Sequence, residues 1–110
     1  MFVQMRKFTV TEGNATKIVD RFSNKGIIEE QDGFIDSTIM VKKVRRGDEE
    51  VVVLVRWESE DHWKAWEKSD AHIAGHKAKI GQPKPEYIIE SEGGVYEVKT
   101  VKTPADTSKA

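Results

Sequence analysis

The 110-residue chain contains no cysteine. This absence excludes disulfide bonds, thiolate metal centres and thiol catalysis, and it is typical of proteins in a reducing compartment. The chain also has no apolar run near the roughly 20 residues that cross a bilayer, and its first residues do not have the pattern of a secretion signal. We therefore expect a cytoplasmic protein that makes no use of a membrane.

A large net charge is also lacking, because 18 basic residues face 19 acidic ones and leave a formal charge of −1. This balance argues against a protein that binds nucleic acid by neutralising phosphates. The sequence has no glycine-rich phosphate loop, so electrons for any redox chemistry would have to come from another protein. The length predicts one domain, residues 1–102, followed by a disordered tail over residues 103–110.

Hydrophobic periodicity predicts the order of the secondary-structure elements. The expected strands cover residues 2–10, 34–44 and 51–57, and two extended segments, 86–89 and 95–101, flank a break at Gly93 and Gly94. The expected helices lie between Thr11, a candidate N-cap, and Gly26, and then over residues 60–68 and 69–80.

This order, β-α-β-β-α-β, is that of the ferredoxin-like, split βαβ plan, an α+β fold with an antiparallel sheet. In this plan the helices cover one face of the sheet and leave the other face open. A second copy packed sheet to sheet is the common way to bury apolar side chains on such a face. We therefore predict a homodimeric α/β barrel.

All three tryptophans and all three histidines lie within residues 57–76. Clustered rings predict one wall of a flat, aromatic cavity with an imidazole at its edge. His76 is the leading candidate, because Gly75, with Ala74 and Ala78 close by, would let a planar group approach the helix backbone. An imidazole at the rim of an apolar pocket is a typical axial ligand of porphyrin iron. The alternative is a structural or solvated histidine beside a tolerated glycine.

Two other pairs in this segment leave alternatives open. His72 and His76 stand at i, i+4, a spacing that can chelate a transition metal, but no third ligand is evident, and we expect the two rings to diverge, with His72 facing solvent. Trp63 and Trp66 stand at i, i+3. Either both belong to the core, or Trp63 packs against the sheet while Trp66 faces a cavity. Trp57 is expected in the core.

The first strand carries polar residues on an aromatic face. On the period-two geometry of a strand, Gln4 and Arg6 share a face with Phe2 and Phe8. Because an unpaired buried charge is costly, Arg6 either extends to the edge of the sheet or lines a pocket and meets an anion or a polarised ligand.

Several of these residues stand in runs that resemble a known family. The pattern Trp57-x-Ser59-x5-Ala65-Trp66-x2-Ser69-Asp70-x5-His76-Lys77 resembles the haem-degrading monooxygenases of the Isd type, within the antibiotic-biosynthesis-monooxygenase superfamily. Three further runs are similar to the same family: Lys7-Phe8-Thr9-Val10-Thr11-x-Gly13, Ile18-Val19-x-Arg21-Phe22 and Gly33-Phe34. The resemblance spans about residues 1–101.

The resemblance implies roles for particular residues. His76 would be the proximal ligand of haem iron, Trp66 would lie against the macrocycle and force it out of plane, and Phe22 would contact it. An asparagine on the distal side of the family's haem corresponds here to Arg6. Either Arg6 donates the distal hydrogen bond, or Gln4 replaces it as an amide donor, or the product differs. The resemblance also implies a homodimer with one haem per subunit.

The activity implied is oxidative haem degradation that releases iron, with haem as both cofactor and substrate and an external reductase as electron donor. Two alternatives remain. A cofactor-free monooxygenase of an aromatic metabolite would have no affinity for haem. A non-enzymatic haem carrier would hold haem intact in the presence of reductant and air.

Overall fold

The computed structural model of the protein describes residues 1–105. Residues 106–110, the larger part of the predicted tail, lie outside the described residues, and residues 103–105 have no regular secondary structure. The elements in chain order are β1 (Phe2–Val10), α1 (Ala15–Ser23), a 3₁₀ turn (Ile28–Glu30), β2 (Phe34–Val41), β3 (Glu49–Trp57), α2 (Glu60–Glu67), α3 (Asp70–Lys79) and β4 (Ile88–Glu97).

The four strands form one antiparallel sheet in the order β2-β3-β1-β4. Strand β3 is central, and its alternate residues Val51, Val53, Val55 and Trp57 are buried, as the period of two requires. This sheet order, with the helices between the strands in the predicted places, is that of the ferredoxin-like α+β fold, so the predicted fold class is confirmed.

Aromatic pairs close both ends of β1 on the covered face of the sheet. The Phe2 ring lies 5.2 Å from the Trp63 ring of α2, and the Phe8 ring lies 5.6 Å from the Phe22 ring of α1. Tilted aromatic pairs at these distances are favourable packing contacts. The middle of β1, between the two pairs, is left facing a cavity.

The N-terminus of α1 is capped by a residue distant in sequence. Glu49 Oε1, at the start of β3, accepts hydrogen bonds from the backbone N–H groups of Gly13, at 3.0 Å, and Ala15, at 2.9 Å. Thr11, the predicted N-cap, instead accepts a hydrogen bond from Asn14 Nδ2 at 2.7 Å, so that prediction is wrong. A carboxylate at this position satisfies free N–H groups and interacts favourably with the helix dipole.

We expect Glu49→Ala to lower the free energy of unfolding by about 1 kcal/mol, because it removes this cap. Urea denaturation followed by circular dichroism measures the effect. Glu86→Ala, at an exposed carboxylate in the turn before β4, is the matched control and should change stability by less than about 0.5 kcal/mol. Equal effects of the two substitutions would contradict the capping role.

Strand β4 is continuous, where the sequence predicted two segments and a break. It runs through Gly93 and Gly94, which pair with Arg6 and Met5 of β1. A Cβ added at Gly93 would lie 3.2 Å from the Met5 carbonyl oxygen and 3.7 Å from Arg6 Cγ. Glycine at this position therefore allows the backbones and the Arg6 side chain to approach closely instead of ending the strand.

The opposite face of the sheet carries a band of apolar side chains that no helix of residues 1–105 covers. Pairing across the strands places Met5 beside Leu54, Val3 beside Tyr96, and Val52 beside Met40. Tyr96 is 52% exposed and Met40 44% exposed. At one end of this band Lys7 bridges Glu50 and Glu92 with Nζ–O distances of 3.6 and 3.0 Å.

Candidate functional site

A cavity of about 510 Å³ lies between the covered face of the sheet and the helices. This volume falls within the range of small-molecule sites. The structure brings all five residues singled out from the sequence to its walls: Gln4, Arg6, Phe22, Trp66 and His76. Their placement together agrees with a common site, while the role of each stays a prediction.

Each wall of the cavity comes from a different element. Gln4 and Arg6 of β1 form the floor with Val53 and Val55 of β3, and Ser37 of β2 extends it. One facing wall is formed by α1 and the segment after it. The other is formed by the C-terminal part of α2 together with α3. The residues that line these walls are Arg21, Phe22, Asn24, Gly26, Ile27, Ile28, Glu29, Trp66, Ala71, His72, Gly75, His76 and Lys79.

The three tryptophans divide as the second of the two sequence alternatives predicted. Trp57 is fully buried, and its ring meets Phe34 edge-on at 5.8 Å. Trp63 packs against Phe2. Trp66 is half-buried and lines the cavity. The indole at position 66 is therefore the one placed to contact a ligand in this cavity.

The break between α2 and α3 directs the histidine-bearing helix along the cavity. Ser69 caps α3 by accepting a hydrogen bond from the His72 N–H at 3.2 Å, and its hydroxyl donates to the Trp66 carbonyl at 2.6 Å. Gly75 lines the cavity, and a Cβ built there would meet nothing within 4 Å. Ala71, one turn earlier, is the second small residue on the cavity wall, whereas Ala74 and Ala78 do not line it.

The prediction that the two histidines of α3 diverge is wrong. His72 and His76 meet with their Nε2 atoms 3.0 Å apart, and His72 Nε2 also lies 2.6 Å from Glu67 Oε2. The His72 side chain is only 18% exposed, since its ring packs edge-on against Trp66 at 5.0 Å. Glu67, at the end of α2, therefore holds His72 between the indole and the second imidazole.

The contacts of His72 determine which tautomer suits both neighbours. A carboxylate is an acceptor only, so the contact with Glu67 favours a proton on His72 Nε2. His76 Nε2 meets that same nitrogen at 3.0 Å, and an imidazole binds a metal through a ring nitrogen that carries no proton. Residues 1–105 contain no group of three or more His, Asp or Glu side chains arranged to hold a metal ion by themselves.

Arg6 lines the cavity and does not extend to the edge of the sheet, while the ligand that it would meet there stays a prediction. Its guanidinium carbon lies 4.8 Å from the centre of the Phe8 ring, a cation–π distance. Burial lowers the pKa of Arg6, and the neighbouring charge of Arg21 lowers it further. At neutral pH the guanidinium nevertheless remains charged.

Four residues near the cavity were missed by sequence reasoning: Arg21, Glu67, His72 as an inward-facing ring, and Lys79. Part of the signal was present, because His72, His76 and Lys79 follow the i, i+4, i+7 spacing of one helical stripe. Arg21 had no such signal, since it is brought to the cavity only by the packing of α1 on the sheet.

Three comparisons with known proteins agree with this architecture. The model of a family described as antibiotic biosynthesis monooxygenase matches residues 1–78. The chain is 67% identical over 102 residues to the heme-degrading monooxygenase HmoA of Bacillus subtilis, covering 93% of this chain and 94% of that protein. It is 34% identical over 101 residues to a heme-degrading monooxygenase of Halalkalibacterium halodurans, covering 92% and 84% of the two chains.

Two solved structures are similar to this fold. A Bacillus cereus protein assigned as an antibiotic biosynthesis monooxygenase superposes with a TM-score of 0.84 at 49% identity, covering 96% of this chain and 98% of that one. MhuD of Mycobacterium tuberculosis, a heme-degrader solved with two hemes in its active site, superposes with a TM-score of 0.63 at 19% identity, covering 94% and 100%. At that identity the second likeness concerns the fold alone.

No helix in the described part of the chain is long and apolar enough to cross a membrane.

Proposed function

Because this chain belongs to the antibiotic biosynthesis monooxygenase family, we propose that it is a haem-degrading monooxygenase. It would open the porphyrin ring with O₂ and electrons from an external reductase, and release the iron. The 67% identity to a heme-degrading monooxygenase, over nearly the whole length of both chains, supports this assignment. Haem is then the substrate as well as the group that supplies the oxygen chemistry when bound.

One geometric observation carries the proposal: the indole of Trp66 and the imidazole of His76 lie on the same wall of a cavity of about 510 Å³. The residues suit a flat iron porphyrin. Apolar side chains form part of the floor, small residues of α3 line one wall, and cationic side chains share the lining. We assign His76 Nε2 as the iron ligand, a bond that would replace its present contact with His72.

The other predicted residues take positioning roles in this proposal. Trp66, held by its contact with His72, would press on one side of the macrocycle and bring a meso carbon towards the site of oxygen activation, where small displacements matter greatly. Phe22 would form part of the opposite wall. Gln4 and Arg6 stand on the floor, and either side chain could donate a hydrogen bond there, with Gln4 the uncharged donor.

We propose that the working form is a homodimer joined through the uncovered sheet face. That face carries the apolar band of Met5, Leu54, Val52, Met40 and Tyr96, and burying it would stabilise the pair by the hydrophobic effect. We also propose that the reaction takes place in the cytoplasm with a reductase as electron donor, because reducing conditions prevail there.

The experiment is to add haemin to the purified protein, record its spectrum, and then add ascorbate in air with catalase present. We expect a Soret band from bound haem, followed by its loss over time. Catalase removes hydrogen peroxide and thus the trivial route to bleaching, and haemin without protein is the control. Bound haem that stays intact would indicate a carrier, and the absence of binding would favour a cofactor-free monooxygenase. Either outcome would overturn the proposal.

A further inference from the structure

Trp66 borders two cavities. It lines the cavity of about 510 Å³ and also a second one of about 310 Å³, which Asp61, His62 and Ala65 of α2 share with two residues before β2. The backbone carbonyl of Trp66 accepts a hydrogen bond from Ser69, but its indole N–H makes none within residues 1–105. The orientation of the indole between the two cavities therefore depends on the side chains packed against it.

His72 is one of these side chains, and its ring packs edge-on against the indole of Trp66. The ring centres are 5.0 Å apart, with an angle of 65° between the planes. The His72 side chain is 18% exposed, and it also meets the His76 ring at 4.5 Å between centres. Because contacts between aromatic rings prefer a defined relative orientation, an imidazole fixed at this place also fixes the indole beside it.

Glu67 is the residue that fixes the imidazole. Its Oε2 atom lies 2.6 Å from His72 Nε2, across the junction of α2 and α3. A hydrogen bond to a carboxylate is about twice as strong as one between neutral groups. Glu67 itself does not line the larger cavity, which Trp66 and His72 both face. It can therefore act on a ligand there only through these two rings.

We propose that Glu67 is a positioning residue, which holds the indole of Trp66 in its working orientation through the imidazole of His72. The chain of contacts from Glu67 to His72 to Trp66 carries this inference, and its effect on the reaction rests on the proposed function. Without the carboxylate, the His72 ring is free to turn, and the indole loses a fixed neighbour. The indole would then take more than one orientation between the two cavities.

The expected consequence is a lower rate of degradation without a lower affinity for the substrate. Small displacements of a group that positions the substrate have large effects on rate. The affinity should not fall, because the assigned iron ligand, His76 Nε2, lies 3.0 Å from His72 Nε2, and a looser His72 ring releases that nitrogen more easily. A residue needed only for the fold would lower both the rate and the affinity when it is replaced.

The first measurement uses the protein without a ligand, so that it does not depend on haem. The three tryptophans are replaced by a fluorinated tryptophan, and the fluorine NMR resonance that is missing from Trp66→Phe identifies position 66. Glu67→Met, of similar length but without an acceptor, should shift or broaden that resonance by more than its linewidth and leave the other two in place. Glu67→Gln, whose amide oxygen can still accept from His72, should keep the resonance where it is in the unmodified protein.

Glu60→Met is the matched control, because Glu60 lies on the same helix and its carboxylate faces Lys64 at 3.9 Å on the surface. It should leave all three resonances and the rate of haem degradation unchanged. Glu67→Ala is a second variant without an acceptor and should behave as Glu67→Met does. Circular dichroism of each variant checks that the fold is retained.

The second measurement separates the rate of haem degradation from the affinity for haemin, with ascorbate, air and catalase present. Glu67→Met should degrade haem about tenfold more slowly and bind haemin at least as tightly as the unmodified protein does. Glu67→Gln should recover the rate to within about threefold, because a neutral hydrogen bond replaces the charge-assisted one.

An unmoved Trp66 resonance in both Glu67→Met and Glu67→Ala, or an equal change in Glu60→Met, would overturn the positioning role. A normal rate of degradation by Glu67→Met, or a parallel loss of its affinity for haemin, would overturn it as well. The proposed function fails separately, if the unmodified protein binds haemin without bleaching it. The fluorine spectra would then still decide whether Glu67 positions the indole.

Discussion

The His76→Ala protein is expected to lose the Soret band of ligated haem and to bind haemin about 100-fold more weakly. This follows because His76 lines the cavity, is assigned as the iron ligand, and an axial bond is the largest single contact that iron can make there. A loss of that size corresponds to about 2.7 kcal/mol of binding free energy. Absorption titration with haemin measures both the position of the band and the dissociation constant.

His72→Phe is the matched control, because the neighbouring imidazole lies close enough to take the iron if the assignment is wrong. A phenyl ring at position 72 can keep the packing against Trp66, and the band of ligated haem should remain. Added imidazole should restore part of the band to His76→Ala by filling the space left by the side chain. An unchanged band in His76→Ala, or its loss in His72→Phe alone, would refute the assignment.

Trp66→Ala should retain haem but degrade it between about 10 and 100 times more slowly. The indole lines the cavity but cannot bind iron. Removing it should therefore change the position of the macrocycle more than the affinity of the protein for haem. The rate of Soret loss under ascorbate, with catalase present, measures the effect, and the haemin titration checks that binding persists.

Trp66→Phe tests whether any aromatic ring at this position is enough or whether the full size of the indole is needed. A smaller aromatic ring at the same position should give a rate between those of Trp66→Ala and the unmodified protein. Degradation by Trp66→Ala at the normal rate would show that the indole does not distort the substrate. Loss of haem binding itself would instead give Trp66 a retaining role.

The parts of the site that the sequence could predict depend on local periodicity. The i, i+3 spacing of Trp63 and Trp66 on a helix that follows a buried strand allowed one ring to reach the core and the other the cavity, and the structure has that division. The alternation of β1 likewise placed Gln4 and Arg6 on the face that became the cavity floor. The period of a strand was enough to place Gln4 and Arg6 on one face, whereas the period of a helix left two alternatives for Trp63 and Trp66, between which the packing of α2 decides.

The parts that the sequence could not predict depend on contacts between distant residues. Glu49 caps a helix 34 residues earlier in the chain, and no local pattern marks it. Gly93 was read as a break because glycine is unfavourable in strands, but its role depends on the close approach of Met5 and Arg6. His72 turns inward because Glu67, across the junction of two helices, offers an acceptor.

The most direct test of the central claim is to measure released iron with a ferrous chelator while haemin is degraded under ascorbate, air and catalase. We expect the unmodified protein to release iron in an amount equal to the haem consumed, and His76→Ala to release iron no faster than haemin in buffer. Haem that remains intact on the unmodified protein, or equal iron release by the two proteins, would contradict the central claim.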